Sequence, residues 1–277
     1  MSTSKKSRRH MLKFYYIGAK RYHGSQRQSE LLTIEECLLH TLKEKKYIKD
    51  YQSSGFEVAS RTDRFVSARG AAFSFITEKK PILMELNSDL PKNIGIWAQV
   101  EIPLDFHLRF NAISRHYKYI LANDDLDLDI MKKACKELEG KHDFINFSKR
   151  DREEKKTVRD MDSVSIDVVD DYFVFNFKSR AFLRQQVRRM IKKIVELGKG
   201  EIEYSEFLKL FDSSTYYSYE PIAPLGLVLW DIEYDNSIKF KPDPKSINRM
   251  EKYFRLQEQK TGVKHQLFKI LQHDDFS

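Results

Sequence analysis

The sequence predicts an α+β fold, and three observations carry that prediction. Short runs alternate apolar and polar residues at the two-residue period of a strand, as over residues 71–76 and 164–168. Longer runs space apolar residues three and four apart, as at Val187, Met190, Ile191 and Ile194, the mark of a helix with one buried face. Strands and helices occur in both halves of the chain, so each half offers a mainly antiparallel sheet with helices on one face. With 277 residues there is enough chain to bury one large core or two modest ones.

Taken in order, residues 1–10 are polar and basic and are expected to form a disordered tail. Residues 12–17 read as a strand. Thr33 followed by Glu36 is a capping box ahead of Ile34, Leu38 and Leu42 on one face, which predicts a helix over 33–47. Val58 and Ala59 lead through a loop into the strand at 71–76. Residues 87–91 are turn-like or a short helix, and 96–102 alternates until Pro103. In the second half, 116–122 is a strand and 128–138 a helix. A hairpin joins 164–168 to 172–177 across Asp170 and Asp171. A long helix over 182–197 stops at Gly198 and Gly200, a short one covers 205–211, and 227–234 is the last strand. Residues 248–272 are helical and highly charged, with an interruption at Gly262. The expected organisation is a tail (1–10), a first half (11–105), a second half (106–235) and a charged helical extension (236–277). No internal repeat is visible.

Composition narrows the function. The net charge is +8, and Lys5, Lys6, Arg8, Arg9, Lys13, Lys20, Arg21 and Arg27 all precede the first acid, Glu30. A second basic cluster runs from Lys178 and Arg180 through Arg184, Arg188 and Arg189 to Lys192 and Lys193. Such local excess attracts a polyanion. Residues 149–156 are a dense charge run, read as an exposed loop. Cys37 and Cys135 are far apart, which argues against a disulfide framework or a zinc site and fits a reducing cytoplasm. Lys13 interrupts the apolar run near the start, which is too short for a secretory signal, and no spanning segment follows, so a soluble protein without a membrane partner is expected. There is no glycine-rich phosphate loop, dinucleotide fingerprint or metal-ligand spacing, which is consistent with chemistry that needs no cofactor and no metal.

The most informative stretch is Ser60-Arg61-Thr62-Asp63, with Arg64 next, which sets a carboxylate between guanidinium groups beside a strand. Nearby cations favour the charged form of a carboxyl group. Further blocks follow: Phe106-His107-Leu108-Arg109-Phe110-Asn111-Ala112, Ser114-Arg115-His116-Tyr117-Lys118-Tyr119, His142-Asp143-Phe144, Phe182-Leu183 with Val187-Arg188, and Ala223-Pro224-Leu225-Gly226-Leu227. In order and spacing these blocks resemble the TruA-type tRNA pseudouridine synthases over residues 12–234. The run from Asn146 to Lys149 and the tail after Asp235 are most similar to the archaeal branch.

The resemblance implies two similar halves that meet around a central basic cleft, tRNA uridines at positions 38 to 40 as substrate, and a homodimer. It implies that Asp63 is the catalytic aspartate and that Arg61 orients it or holds a phosphate. It implies that Tyr117 stacks on the target base and that Arg188 is the basic residue of the long helix, positioned to pair with Asp63. Tyr117 and Tyr119 share one side of a strand, so one of them is a candidate for the core instead. Arg109, with His107 and Phe110, is expected in the cleft wall. Arg184 and Lys192 would form a stripe beside Arg188 that touches phosphates. His142 is read as structural. Where relatives place a glycine after the aspartate, this chain has Phe65, at a cost in backbone freedom. Two rival readings are a related synthase acting on other RNA uridines and a catalytically silent RNA-binding protein.

Overall fold

The computed structural model describes residues 6–150 and 156–272. Its first strand, β1 (Arg8–Tyr16), is buried almost throughout, because it runs between β3 (Ser67–Thr77) and β4 (Ile94–Ile102) and is antiparallel to both. The short β2 (Glu57–Val58) lies on β3. On the other flank β5 (Ser114–Ala122) pairs with β8 (Tyr172–Ser179), then come β7 (Val158–Val169) and β6 (Gly140–Asp143). The flanks meet where β9 (Leu227–Glu233), antiparallel to β5, lies parallel to the start of β3. With β10 (Lys241–Pro242) on the edge of β4, a single ten-stranded sheet results, all antiparallel except at that seam. The α+β class and the antiparallel character are as expected from the sequence.

The helices supply the remaining cover. α1 (Ile34–Glu44) starts where the capping pattern predicts, with the Thr33 hydroxyl accepting the Glu36 amide at 3.2 Å, and it buries Ile34, Leu38 and Leu42. It ends three residues before the predicted limit, because Lys46 turns to φ +57° and the Tyr47 amide folds back to the Leu42 carbonyl. α2 (Leu83–Asp89) begins four residues before the predicted turn. α3 (Leu128–Glu137) and α4 (Gln186–Gly198) approach closely at Gly198, where a β-carbon would meet Met131 at 2.7 Å. α5 (Tyr204–Lys209) is short and α6 (Pro244–Leu271) long.

Several expectations are corrected. Residues 1–5 lie outside the described residues, but Arg8, Arg9 and His10 belong to β1 rather than to a tail. Arg9 is buried, and its guanidinium meets Glu57 at 2.8 Å. The charge run over 149–156 falls mostly outside the described residues. Helix α4 starts at Gln186, not 182: Gln185 takes φ +60°, and the Gln186 side chain accepts the Leu183 amide at 2.7 Å. Gly262 does not interrupt α6, since a helix-interior glycine costs only about 1 kcal/mol relative to alanine. The segment after Asp235 also contributes more than a helix, because β10 adds a strand to β4 and Tyr253 and Phe254 of α6 pack on Tyr15.

Candidate active site

Asp63 lies in the loop between β2 and β3, and that loop is pinned on both sides. The Thr62 amide donates to the Ser25 hydroxyl at 2.7 Å, and the Thr62 carbonyl accepts the Ser25 amide at 3.1 Å. The Thr62 and Tyr16 hydroxyls are 2.6 Å apart; burial pushes the Tyr16 phenol well up, so it stays a neutral partner. The Val66 amide returns to the Asp63 carbonyl at 3.3 Å, with Phe65 between them at φ +68°. A left-handed backbone costs a side-chain-bearing residue roughly 1–2 kcal/mol. Phe65 adopts it all the same, under the Arg64 guanidinium at 5.0 Å, and packs so tightly on Gly18 that a β-carbon there would come within 2.3 Å of its peptide. The departure from glycine therefore leaves the turn closed.

The loop opens on a groove of about 1380 Å³ lined by eight arginines and four carboxylates. Asp63 Oδ2 accepts Arg188 Nη1 at 3.0 Å, a contact between residues 125 apart in sequence. The Arg188 side chain is 10% exposed and that of Asp63 is 41% exposed, so the cation is enclosed while the acid faces the groove. Arg188 sits in the first turn of α4, its Nε bonded to the Ile222 carbonyl at 2.8 Å. Among the described residues, Asp63 Oδ1 accepts no hydrogen bond.

Tyr117, on β5, also lines the groove, with Phe182 packed edge-on at 5.1 Å and 84°. Its hydroxyl is pushed up to about 12, by burial first; the Arg115 charge opposes this, the Asp63 charge adds to it, and a bond with Ser60 opposes it. It is thus protonated near neutral pH. Both tyrosines are buried, Tyr117 at 9% and Tyr119 at 3% exposed; Tyr119 packs on Phe175 and donates to the Ala223 carbonyl at 3.0 Å, whereas Tyr117 also lines the groove.

The remaining sequence-predicted residues are dispersed around the rim. Arg61 lines the groove but is exposed, and among the described residues no ion pair joins it to Asp63; its charge acts on Glu35 instead. Arg64 turns away from the carboxylate and donates to the Lys20 carbonyl at 2.7 Å. Arg109 is exposed in the groove wall, its amide bonded to Glu57 at 3.2 Å. Arg184 is exposed in the turn before α4, so the stripe Arg184–Arg188–Lys192 is not one helical row, and Lys192 pairs with Glu196 at 3.1 Å. His107 lies 3.9 Å from Glu57 and edge-on to Phe110. His142 is structural, bonded to the Glu139 carbonyl at 2.7 Å and packed on Phe144 and Phe211.

Sequence reasoning missed two groups in this groove. Arg115 is buried beneath it and bonded to three of its walls. Glu35, at the start of α1, has its carboxyl raised by burial, with Oε2 accepting the Arg27 amide at 3.1 Å and Oε1 unbonded. Glu35 stands in no pattern that spacing would single out, and Arg115, though within the Ser114–Tyr119 block, is given no role by it. Among the described residues no helix is long and apolar enough to cross a membrane, and no three His, Cys, Asp or Glu side chains gather as metal ligands.

Comparison with known proteins identifies the family. A family model described as tRNA pseudouridine synthase matches residues 134–235. The tRNA pseudouridine synthase A of Methanosphaera stadtmanae is 36% identical over 276 residues, covering 95% of this chain and 99% of that protein. Those of Methanosarcina mazei and Methanothermobacter thermautotrophicus are 34% and 33% identical, over 86% and 91% of this chain and 89% and 92% of theirs. In three dimensions the overlap with a chain of a solved Cbf5-Nop10-Gar1 complex is loose, at a TM-score of 0.33 and 12% identity over 68% of this chain and 53% of that one, so the assignment rests on the sequence relatives. These relatives make the chain a pseudouridine synthase, an isomerase. Within that class it belongs to the TruA-type family.

Proposed function

We propose that this enzyme converts uridine to pseudouridine in the anticodon stem-loop of tRNA, at positions 38, 39 or 40, with Asp63 as the essential carboxylate. The observation that carries the reading is the Asp63–Arg188 pair, set beside Tyr117 in an arginine-lined groove. The names of the relatives supply tRNA as the substrate. The family resemblance adds the stem-loop positions, a homodimer and a cytoplasmic location.

In this reading the target nucleotide swings out of the stem and its base lies against Tyr117, which replaces part of the lost stacking. The bond from N1 to the sugar C1′ breaks, the base turns, and C5 bonds to C1′. The hydrogen on C5 leaves as a proton and N1 gains one, so nothing is oxidised or reduced. Asp63 acts through Oδ1, by attack on the sugar, by attack on the base or by taking a proton. Arg188 holds Oδ2 and fixes the direction in which Oδ1 points. Arg61, Arg109 and Arg184 at the rim position the RNA through its phosphates without reading its sequence.

The test is to incubate the protein with an unmodified tRNA transcript and map the product. Pseudouridine confined to positions 38–40 is the expected result. Product elsewhere in RNA would favour the related synthase, and none at all would favour a silent RNA-binding protein.

A further inference from the structure

Arg115 presents an unusual arrangement for a buried cation. Its residue is 7% exposed, and among the described residues no carboxylate lies within ion-pair distance. A buried charge without a counter-charge is unfavourable unless hydrogen bonds replace its lost water. Here they do: Nε donates to the Ser60 hydroxyl at 2.7 Å, Nη2 to the carbonyls of Ala59 at 2.9 Å and Arg109 at 3.0 Å, and Nη1 to the carbonyl of Arg180.

The acceptors come from three separate stretches of chain that all line the groove. Ala59 and Ser60 lead directly into the Asp63 loop. Arg180 lies two residues before Phe182, which packs on Tyr117, and Arg115 itself lies two residues before Tyr117 on β5. Arg109, whose amide is bonded to Glu57, belongs to a third stretch of the lining. A guanidinium offers its donors in a rigid planar fork, so the acceptors it serves are held in a fixed arrangement. An ammonium on a flexible stem has no such plane.

We infer that Arg115 is a positioning residue of this site, holding the Asp63 loop and the Tyr117–Phe182 pair at a set distance so that Asp63 meets a base lying on Tyr117. It acts through Ser60 and the three carbonyls and does not touch the reacting atoms. The inference rests on the isomerase reading above. Reactions between bound groups are sensitive to such placement, a shift of about 1 Å costing roughly a hundredfold in rate.

The experiment compares Arg115→Lys and Arg115→Ala with wild type and with Lys13→Met. Lys13 is a second buried cation, bonded to Asp231, Ile232 and Gly70 outside the groove, so its variant reports what loss of a buried cation does to the fold alone. Single-turnover tritium release from uracil-5-labelled tRNA is measured at saturating protein, alongside RNA affinity and thermal unfolding. Arg115→Lys is expected to lose roughly a hundredfold in single-turnover rate with RNA affinity within about threefold. Guanidinium ion, but not ammonium at equal ionic strength, should restore part of the rate of Arg115→Ala. Lys13→Met should lose stability and keep its rate per folded molecule. A rate for Arg115→Lys within threefold of wild type, a defect confined to RNA affinity, or a loss that only follows the folded fraction would overturn the inference. If Arg115→Ala does not fold, Arg115→Lys below its unfolding transition decides alone. A wild type that releases no tritium would instead defeat the isomerase reading, so the two failures are separable.

Discussion

Of the ion pairs that tie distant parts of this chain together, two are almost the same by exposure. In one, Arg188 (side chain 10% exposed) holds Asp63 (41%); in the other, Lys13 (4%) holds Asp231 (40%). Each joins an enclosed cation to a half-open acid, and each acid has one oxygen with no hydrogen bond among the described residues. The difference lies in what surrounds them. Lys13 also donates to the Ile232 carbonyl at 2.6 Å and lies over the Phe240 ring, while Asp231 sits against Gly70, where a β-carbon would come within 2.5 Å of its oxygen. That pair fastens the seam between β3 and β9. Asp63 faces a groove with an aromatic wall and an arginine-rich lining. A buried cation with an acid is therefore not in itself a candidate site; the open groove beside Asp63 makes it one.

The comparison can be broken by substitution, and the largest effect is expected at Arg188. Arg188→Ala removes the group that aims Asp63, and tritium release should fall by roughly a hundredfold to a thousandfold, with Arg188→Lys between it and wild type. If Arg188 merely fastened the fold as Lys13 does, stability would drop and turnover per folded molecule would not. At Tyr117, loss of the ring in Tyr117→Ala should cost about 1–3 kcal/mol of base binding. Tyr117→Phe should keep release within a few-fold, because a hydroxyl held up near 12 is not a base at neutral pH. A large loss in the phenylalanine variant would give that hydroxyl a part in the chemistry.

Lys13→Met sharpens the other side of the comparison. It removes three hydrogen bonds and should lower unfolding stability by about 1–3 kcal/mol, read by denaturant titration. The smallest effect is expected at Glu35, whose carboxyl is raised above its ordinary value by burial, partly offset by Arg27 and Arg61. The folded state therefore holds that proton more tightly than the unfolded chain. Its contribution is favourable below the ordinary carboxyl range and is lost as pH rises through the raised value. Glu35→Gln should thus unfold at a higher temperature than wild type at pH 8, with the gap closing toward pH 4.

Much of this was legible in the sequence where one residue type has one physical role. Thr33 caps the helix it was expected to cap, and the hairpin turns at Asp170 and Asp171. Distance along the chain hid the rest. Nothing in residues 67–68 and 228–229 announces the parallel seam that brings the flanks together. The start of α4 was misread because Phe182 and Leu183 continue its apolar pattern, while Gln185 and Gln186 stop it by a left-handed turn and a side-chain bond. Arg64 and Arg61 flank Asp63 in sequence, yet its cation comes from Arg188 on another element, a pairing that the family resemblance implied and that local spacing alone does not give. Arg115 looked like one more basic residue in a strand, since a buried guanidinium bonded to carbonyls has no sequence signature.

The most direct measurement is tritium release from uracil-5-labelled tRNA by Asp63→Ala and Asp63→Asn, with RNA affinity and folding followed on the same samples. Release should fall by at least roughly a thousandfold in both, with affinity within a few-fold and the fold intact. Equal release by wild type and either variant would contradict the assignment of the chemistry to this carboxylate.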